Sequence, residues 1–120
     1  MKRILIVEDD PMVADVIGDI VATLGFESVL ANNGAAVFER FEETDFDLVI
    51  MDLELPAMNG FDVACRLKRM DPGVRILFST GYSDTIDLID LSEPSYCGII
   101  RKPFDLVGIQ TAIEKALARV

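Results

Sequence analysis

Leu48, Val49, Ile50 and Met51 form an uninterrupted apolar run, and Asp52 closes it. A strand with one wet face alternates apolar and polar residues. A run that is apolar throughout marks a strand covered on both faces, as in a parallel sheet. The same signal recurs at Ile4 to Val7, and Glu27 to Ala31, Arg75 to Ser79 and Cys97 to Ile100 also read as strands. Between these runs the apolar residues fall at helical spacing. Val13, Val16, Ile17, Ile20 and Leu24 follow an Asp10 cap with Pro11 in the first turn, and Gly25 stops them. Val37, Phe38 and Phe41 follow Asn32-Asn33-Gly34, while Phe61, Ala64 and Leu67 follow Asn59 and end at Asp71-Pro72-Gly73. A weaker stripe of Ile86, Ile89 and Leu91 begins at Ser83-Asp84 and closes at Pro94. Asp105 precedes Leu106, Ile109, Ile113 and Leu117. Five strands alternating with five helices imply an α/β fold, a parallel sheet with helices on both faces. Periodicity does not give the strand order.

Size and charge narrow the function. A chain of 120 residues builds one domain with a core that needs no disulfides. Its two cysteines, Cys65 and Cys97, sit inside apolar patterns and read as buried fillers, which fits a cytoplasmic protein. The first apolar run is too short for a signal peptide or a membrane span. With 11 basic and 21 acidic residues, the net charge of −10 excludes the basic footprint of a nucleic-acid binder. Partners that are proteins or small ions fit better.

In a parallel sheet the carboxyl ends of the strands share one edge, where ligands bind. Here those ends carry Glu8 and Asp9, Asp52, Thr80, and Lys102. Taken alone, Asp52 reads as readily as a polar strand end or helix cap as it does as a functional carboxylate. Three carboxylates together repel, by about 4 kcal/mol for each pair at ~4 Å and an effective dielectric near 20. Lys102 is expected to offset one charge at most. A divalent cation with oxygen ligands is the simplest neutraliser, and Mg²⁺ suits a site with few carboxylates and several waters. Asp52 would then be a metal-linked carboxylate able to act as a nucleophile in phosphoryl transfer, with Lys102 and the Thr80 hydroxyl on the phosphoryl oxygens.

The stretches Ile4 to Pro11, Asp47 to Gly60, Ser79-Thr80-Gly81 and Lys102-Pro103-Phe104 make the chain resemble a response-regulator receiver domain of two-component signalling. Each motif is common alone; the order and spacing, over the whole chain, are specific. The resemblance implies one receiver domain over residues 1–120, flavodoxin-like, with a doubly wound sheet in the order 2-1-3-4-5. It implies that Asp52 takes a phosphoryl group from a phosphohistidine, on a histidine kinase or a histidine phosphotransfer protein in a phosphorelay. Asp9 matches the direct Mg²⁺ ligand, Glu8 its acidic neighbour acting through metal-bound water, and Glu54 the residue whose backbone carbonyl reaches the metal. Asp10 stands at a variable position and stays a helix cap. Thr80 matches the hydroxyl that closes on the phosphoryl group, Gly81 the small residue that keeps access, and Lys102 the lysine on the phosphoryl oxygens, followed by Pro103 through a cis bond. Stretch 84–118 matches the surface that signals to a downstream output protein or domain, or forms a phosphorylation-dependent dimer from a monomer. A cytoplasmic signalling domain of this kind catalyses only its own phosphoryl transfer and dephosphorylation.

One departure stands out. Ile99 occupies the position, three before the lysine, where the family commonly has an aromatic residue that turns inward after phosphorylation. Tyr82 and Tyr96 are the aromatic substitutes at hand. Glu54 and Tyr82 occupy positions that often tune the lifetime of the acyl phosphate: a second acid there disfavours added negative charge, or simply points into solvent. Arg66, Lys68 and Arg69 read as a favourable match to a helix dipole, and Met51, Met58 and Met70 as packing. Two other functions compete with this reading. A Mg²⁺-dependent phosphohydrolase with Asp52 as nucleophile would carry a second Asp where Glu54 stands, normally after the first strand. A flavin loop at Ser79 to Ser83 would also follow the first strand, where Glu8, Asp9 and Asp10 would repel phosphate. No output domain lies within the 120 residues, so a stand-alone regulator and a piece of a longer protein both fit.

Overall fold

The computed structural model describes residues 1–81 and 84–118, with the side chains of Asp84 and Thr85 left aside. Five parallel strands form one sheet: β1 (Arg3–Val7), β2 (Glu27–Ala31), β3 (Leu48–Asp52), β4 (Ile76–Thr80) and β5 (Tyr96–Arg101). Their order is β2-β1-β3-β4-β5, as the family resemblance implied. Four α-helices are described: α1 (Pro11–Thr23), α2 (Gly34–Glu43), α3 (Gly60–Met70) and α4 (Leu106–Ala118).

The alternation of side chains along each strand divides the core in two. Leu5, Val7, Val49, Met51, Ile76 and Phe78 pack with Val37 of α2 and with Val63, Ala64 and Leu67 of α3. Ile4, Ile6, Leu48, Ile50 and Leu77 pack with Ile17, Ile20 and Val21 of α1 and with Ile109, Ile113 and Ala116 of α4. Both faces of the central strands are covered, so β3 and β4 are buried over their whole length. This is why their sequences read as continuous apolar runs.

The helix starts are chemically set. The Asp10, Asn33 and Asn59 side chains accept from the N–H groups of Met12, Ala36 and Phe61. Asp105 Oδ1 does the same for Gly108. Gly25, at φ +86°, takes the left-handed turn after α1 that glycine adopts without strain.

Three expectations are corrected. The fourth of the five expected helices is a 3-10 helix, Asp84–Leu88, and not an α-helix. Just beyond it Asp90 Oδ1 accepts from both the N–H (2.9 Å) and the hydroxyl (2.6 Å) of Ser92. That local turn competes with continued helix, and it holds the Asp90 carboxyl below its usual range. Cys65 and Cys97 are half-buried free thiols, and not buried fillers. In the apolar stripes Val16 and Leu106 face outward (49% and 58% exposed), while Ala14 and Val21 take core places in α1.

Candidate functional site

Strand register brings the polar strand ends together. Val7 pairs with Met51, so Glu8 and Asp52, the next residues, lie level on adjacent strands. Asp52 pairs with Ser79, and Thr80 with Arg101, which puts Lys102 one step beyond. The Lys102 N–H donates to the Thr80 carbonyl at 2.8 Å and anchors the strand exit. The Lys102–Pro103 bond is cis.

Asp52 is 1% exposed, and Glu8 equally so. The chain turns back tightly behind Asp52. Gly60, at the start of α3, lies so close that an added Cβ would collide with the Asp52 carbonyl oxygen and sit 2.9 Å from Leu53 Cα. Only a residue without a side chain lets α3 start there, and its N–H donates to the Leu53 carbonyl at 3.2 Å. The β3–α3 loop is held by this close approach.

Lys102 Nζ stands 2.6 Å from Glu8 Oε1 and 3.2 Å from Asp52 Oδ2. Its single positive charge is shared between two buried carboxylates and offsets one charge at most, as expected. The buried Glu8 Oε1 is in ion-pair contact with Lys102 but has no aligned hydrogen-bond donor. Burial pushes the Glu8 carboxyl above its ordinary range, and Asp52 adds to the shift against the pull of Lys102. For Lys102, burial favours the neutral amine. The close Glu8 carboxylate and the charge of Asp52 outweigh it, and the amine lies above its ordinary value.

Asp9 is exposed beside this pair. One carboxylate oxygen from each of Glu8, Asp9 and Asp52 can be chosen so that all lie within 4.8 Å of one another. Three hard oxygen donors, one of them a buried oxygen lacking an aligned donor, fit a divalent cation such as Mg²⁺. The residues present thus suit the metal.

Thr80 is fully buried and ends β4. Its hydroxyl donates to Glu54 Oε2 at 2.6 Å, and the Gly81 N–H donates to Glu54 Oε1, also at 2.6 Å. The Glu54 N–H in turn donates to Asp52 Oδ1 at 2.9 Å. Of the two readings of the Glu54 side chain, the one facing the site holds. Sequence reasoning had no signal for the clamp on Thr80, because an isolated loop acid carries no periodicity.

Ile99 is half-buried against the core on the α2–α3 face. Tyr96 is buried in the same core, with its ring 5.2 Å from Phe78 and 6.1 Å from Phe61. That packing argues against Tyr96 as a mobile substitute. Tyr82 lies outside the described residues. The basic residues on α3 also have specific contacts: Arg66 stacks 4.1 Å over the Phe38 ring, and Lys68 pairs with Glu93 at 3.3 Å.

Comparison with known proteins agrees with this geometry. The response regulator receiver domain family matches residues 4–114. The chain is 33% identical over 117 residues to the response regulator receiver protein CpdR of Brucella abortus, covering 98% of each. It is 38% identical over 118 residues to the DNA-binding response regulator MtrA of Mycolicibacterium smegmatis, covering 98% of this chain and 51% of MtrA. The chain thus spans about half the length of that relative. Among solved structures, TrrA of Thermotoga maritima in complex with Mg²⁺-BeF aligns with a TM-score of 0.86 at 30% identity, over 98% of this chain and 100% of TrrA. The non-phosphorylated HemR receiver domain of Leptospira biflexa aligns with a TM-score of 0.89 at 26% identity, over 100% and 97%. These likenesses do not favour the phosphohydrolase alternative. A buried Asp at the switch point of a 2-1-3-4-5 sheet, a lysine in contact with it and a family match over nearly the whole length lead to one conclusion: the chain belongs to the response regulator receiver domain family, the phosphoacceptor switch of two-component signalling.

Proposed function

We propose that residues 1–120 act as one receiver domain in which Asp52 is the phosphoacceptor. The observation that carries this reading is the buried Asp52 carboxylate, 3.2 Å from Lys102 and grouped with Glu8 and Asp9. An Asp52 oxygen forms the new O–P bond as the P–N bond of a phosphohistidine breaks. The donor imidazole keeps the bonding pair and takes up a proton. Lys102 supplies fixed positive charge where negative charge shifts toward the acceptor, and the Thr80 hydroxyl donates to a phosphoryl oxygen. Mg²⁺, held by Glu8, Asp9, Asp52 and the Glu54 backbone carbonyl, would supply charge neutralisation for the carboxylates and the phosphoryl oxygens. Water attack at phosphorus later restores the Asp52 carboxylate and releases inorganic phosphate. External phosphomonoesters are not turned over, so the domain is a switch and not an enzyme with a substrate of its own.

The donor is a histidine kinase or a histidine phosphotransfer protein in the cytoplasm. Signal passes to an output protein or domain through the 84–118 stretch, in a monomer or a phosphorylation-dependent dimer. Exposure of Leu88, Leu91, Leu106 and Val107 within that stretch supports a protein contact there. No described helix is long and apolar enough to cross a membrane. Incubation with acetyl phosphate and intact-mass measurement tests the chemistry. One added phosphoryl group is expected with Mg²⁺, and none with chelator or in Asp52→Asn. Equal incorporation into Asp52→Asn would overturn the assignment.

A further inference from the structure

Glu54 touches both the acceptor and the groups that would receive the phosphoryl oxygens. Its N–H donates to Asp52 Oδ1, while its side chain reaches across to Thr80 and Gly81. Among the described residues, the two carboxylate oxygens accept from two adjacent donors, the Thr80 hydroxyl and the Gly81 N–H, at 2.6 Å. Hydrogen bonds this short to an ionised acceptor are among the stronger ones in proteins. Two oxygens of a tetrahedral phosphoryl group present much the same pattern: negative, paired and spaced to accept from neighbouring donors. The Thr80 hydroxyl is fully buried, and a buried hydroxyl needs an acceptor. Glu54 itself is exposed, so its side chain can swing into water without desolvation.

We propose that the Glu54 carboxylate is an internal occupant of the phosphoryl seat, a latch that holds the Thr80 hydroxyl and the Gly81 N–H in the resting chain and must leave before a phosphoryl group on Asp52 can be received. This rests on the receiver reading above. Phosphorylation then exchanges one anion for another on the same two donors. Glu54 competes with the phosphoryl group within the chain, which lowers its hold on the switch and leaves its oxygens less protected by Thr80.

The latch differs from simple repulsion by an added acid in one respect. Repulsion depends on the charge, whereas the latch depends on reach. Glu54→Asp keeps the charge near the site but is one methylene too short to span both donors. Glu54→Gln keeps the length, loses the charge and turns a donor toward one of the two N–H or O–H groups. The test is a titration of beryllofluoride, with saturating Mg²⁺, into wild type, E54D and E54Q, counting bound anion by fluorine NMR and using Asp52→Asn as the blank. The latch is expected to make both variants bind about tenfold more tightly than wild type, which corresponds to 1.4 kcal/mol. Tightening in E54Q alone would assign the effect to charge and overturn the latch, as would wild-type affinity in both. Absence of Asp52-dependent binding in all three chains would overturn the receiver reading itself. That outcome is distinct from a wild type that binds without gain in the variants.

Discussion

Replacing Lys102 by Met removes the cation between two carboxylates that are each 1% exposed. At 2.6 and 3.2 Å and an effective dielectric near 20, the two attractions are about 6 and 5 kcal/mol before desolvation of the lysine is subtracted. The chain does not have to bear that loss in full, because Glu8 can take up a proton. Its carboxyl is already held above its ordinary value of 4.5 by burial and by Asp52, with Lys102 pulling the other way. Without Lys102 it rises further. The cost of keeping Glu8 protonated at pH 7 is the gap to its unfolded value, about 2.5 pKa units or roughly 3.4 kcal/mol. This caps the Glu8 share of the destabilisation near neutral pH, and the whole is expected within the 3–5 kcal/mol typical of a buried pair that loses one partner. The sign follows from proton counts. Above pH 4.5 the unfolded chain releases the Glu8 proton while the folded variant, its carboxyl raised further, holds it to higher pH, so stability falls as pH rises. In chelator, urea unfolding of Lys102→Met should show a deficit of about 3 kcal/mol at pH 7 that shrinks as the pH falls toward 5. A deficit independent of pH, or none at pH 7, would refute the claim that Lys102 holds Glu8 ionised. Added Mg²⁺ should recover more stability in the variant than in wild type.

Two further outcomes follow from the same structure. Gly60→Ala should cost on the order of 2–4 kcal/mol in urea unfolding, because the new methyl meets the Asp52 carbonyl and Leu53 Cα and the β3–α3 loop must shift; it should slow phosphoryl incorporation as well, by moving Asp52. In a Tyr82→Phe background, Tyr96 should show no phenolate absorbance at about pH 11 while the chain is folded. Burial raises its phenol above the ordinary range, and the Cys65 thiol at 3.7 Å and the charge of Glu93 add to the shift. Unfolded chains lose that proton near pH 10 and folded ones keep it, so stability should drop above pH 10.

The strands were legible because burial on both faces leaves no room for polar residues, and Leu48–Met51 shows this most directly. The gathering of the polar strand ends was legible because parallel strands deliver their carboxyl ends to one edge, where several acids and a lysine together are hard to account for as caps or strand ends alone. Elsewhere local patterns were not enough. Asp84–Leu88 has an apolar spacing that suits a helix, but Asp90 captures Ser92 and the segment stays a 3-10 helix. Leu106 continues the stripe of α4 in sequence, yet it sits in the first turn, outside the core. Lys102 bridging two carboxylates depends on depth and register, which the charges alone do not encode.

The resting site has its polar groups already engaged. Lys102 is shared between Glu8 and Asp52, and the Thr80 hydroxyl and the Gly81 N–H are taken by Glu54. An arriving phosphoryl group therefore replaces partners; it does not fill vacant places. The free energy of switching is a difference between two sets of contacts of similar kind, which keeps it small and adjustable. Changes on the two sides of the site should then act with opposite sign. On the proposed latch, removing the Glu54 carboxylate, which accepts from Thr80 and Gly81, should favour the phosphorylated form. Removing Lys102, which serves Asp52 at rest and the phosphoryl oxygens afterward, should disfavour it. If Glu54 and the phosphoryl group compete for the Thr80 hydroxyl, Glu54→Asp should move the switching equilibrium in a chain that has Ile99 in place of the family's aromatic residue.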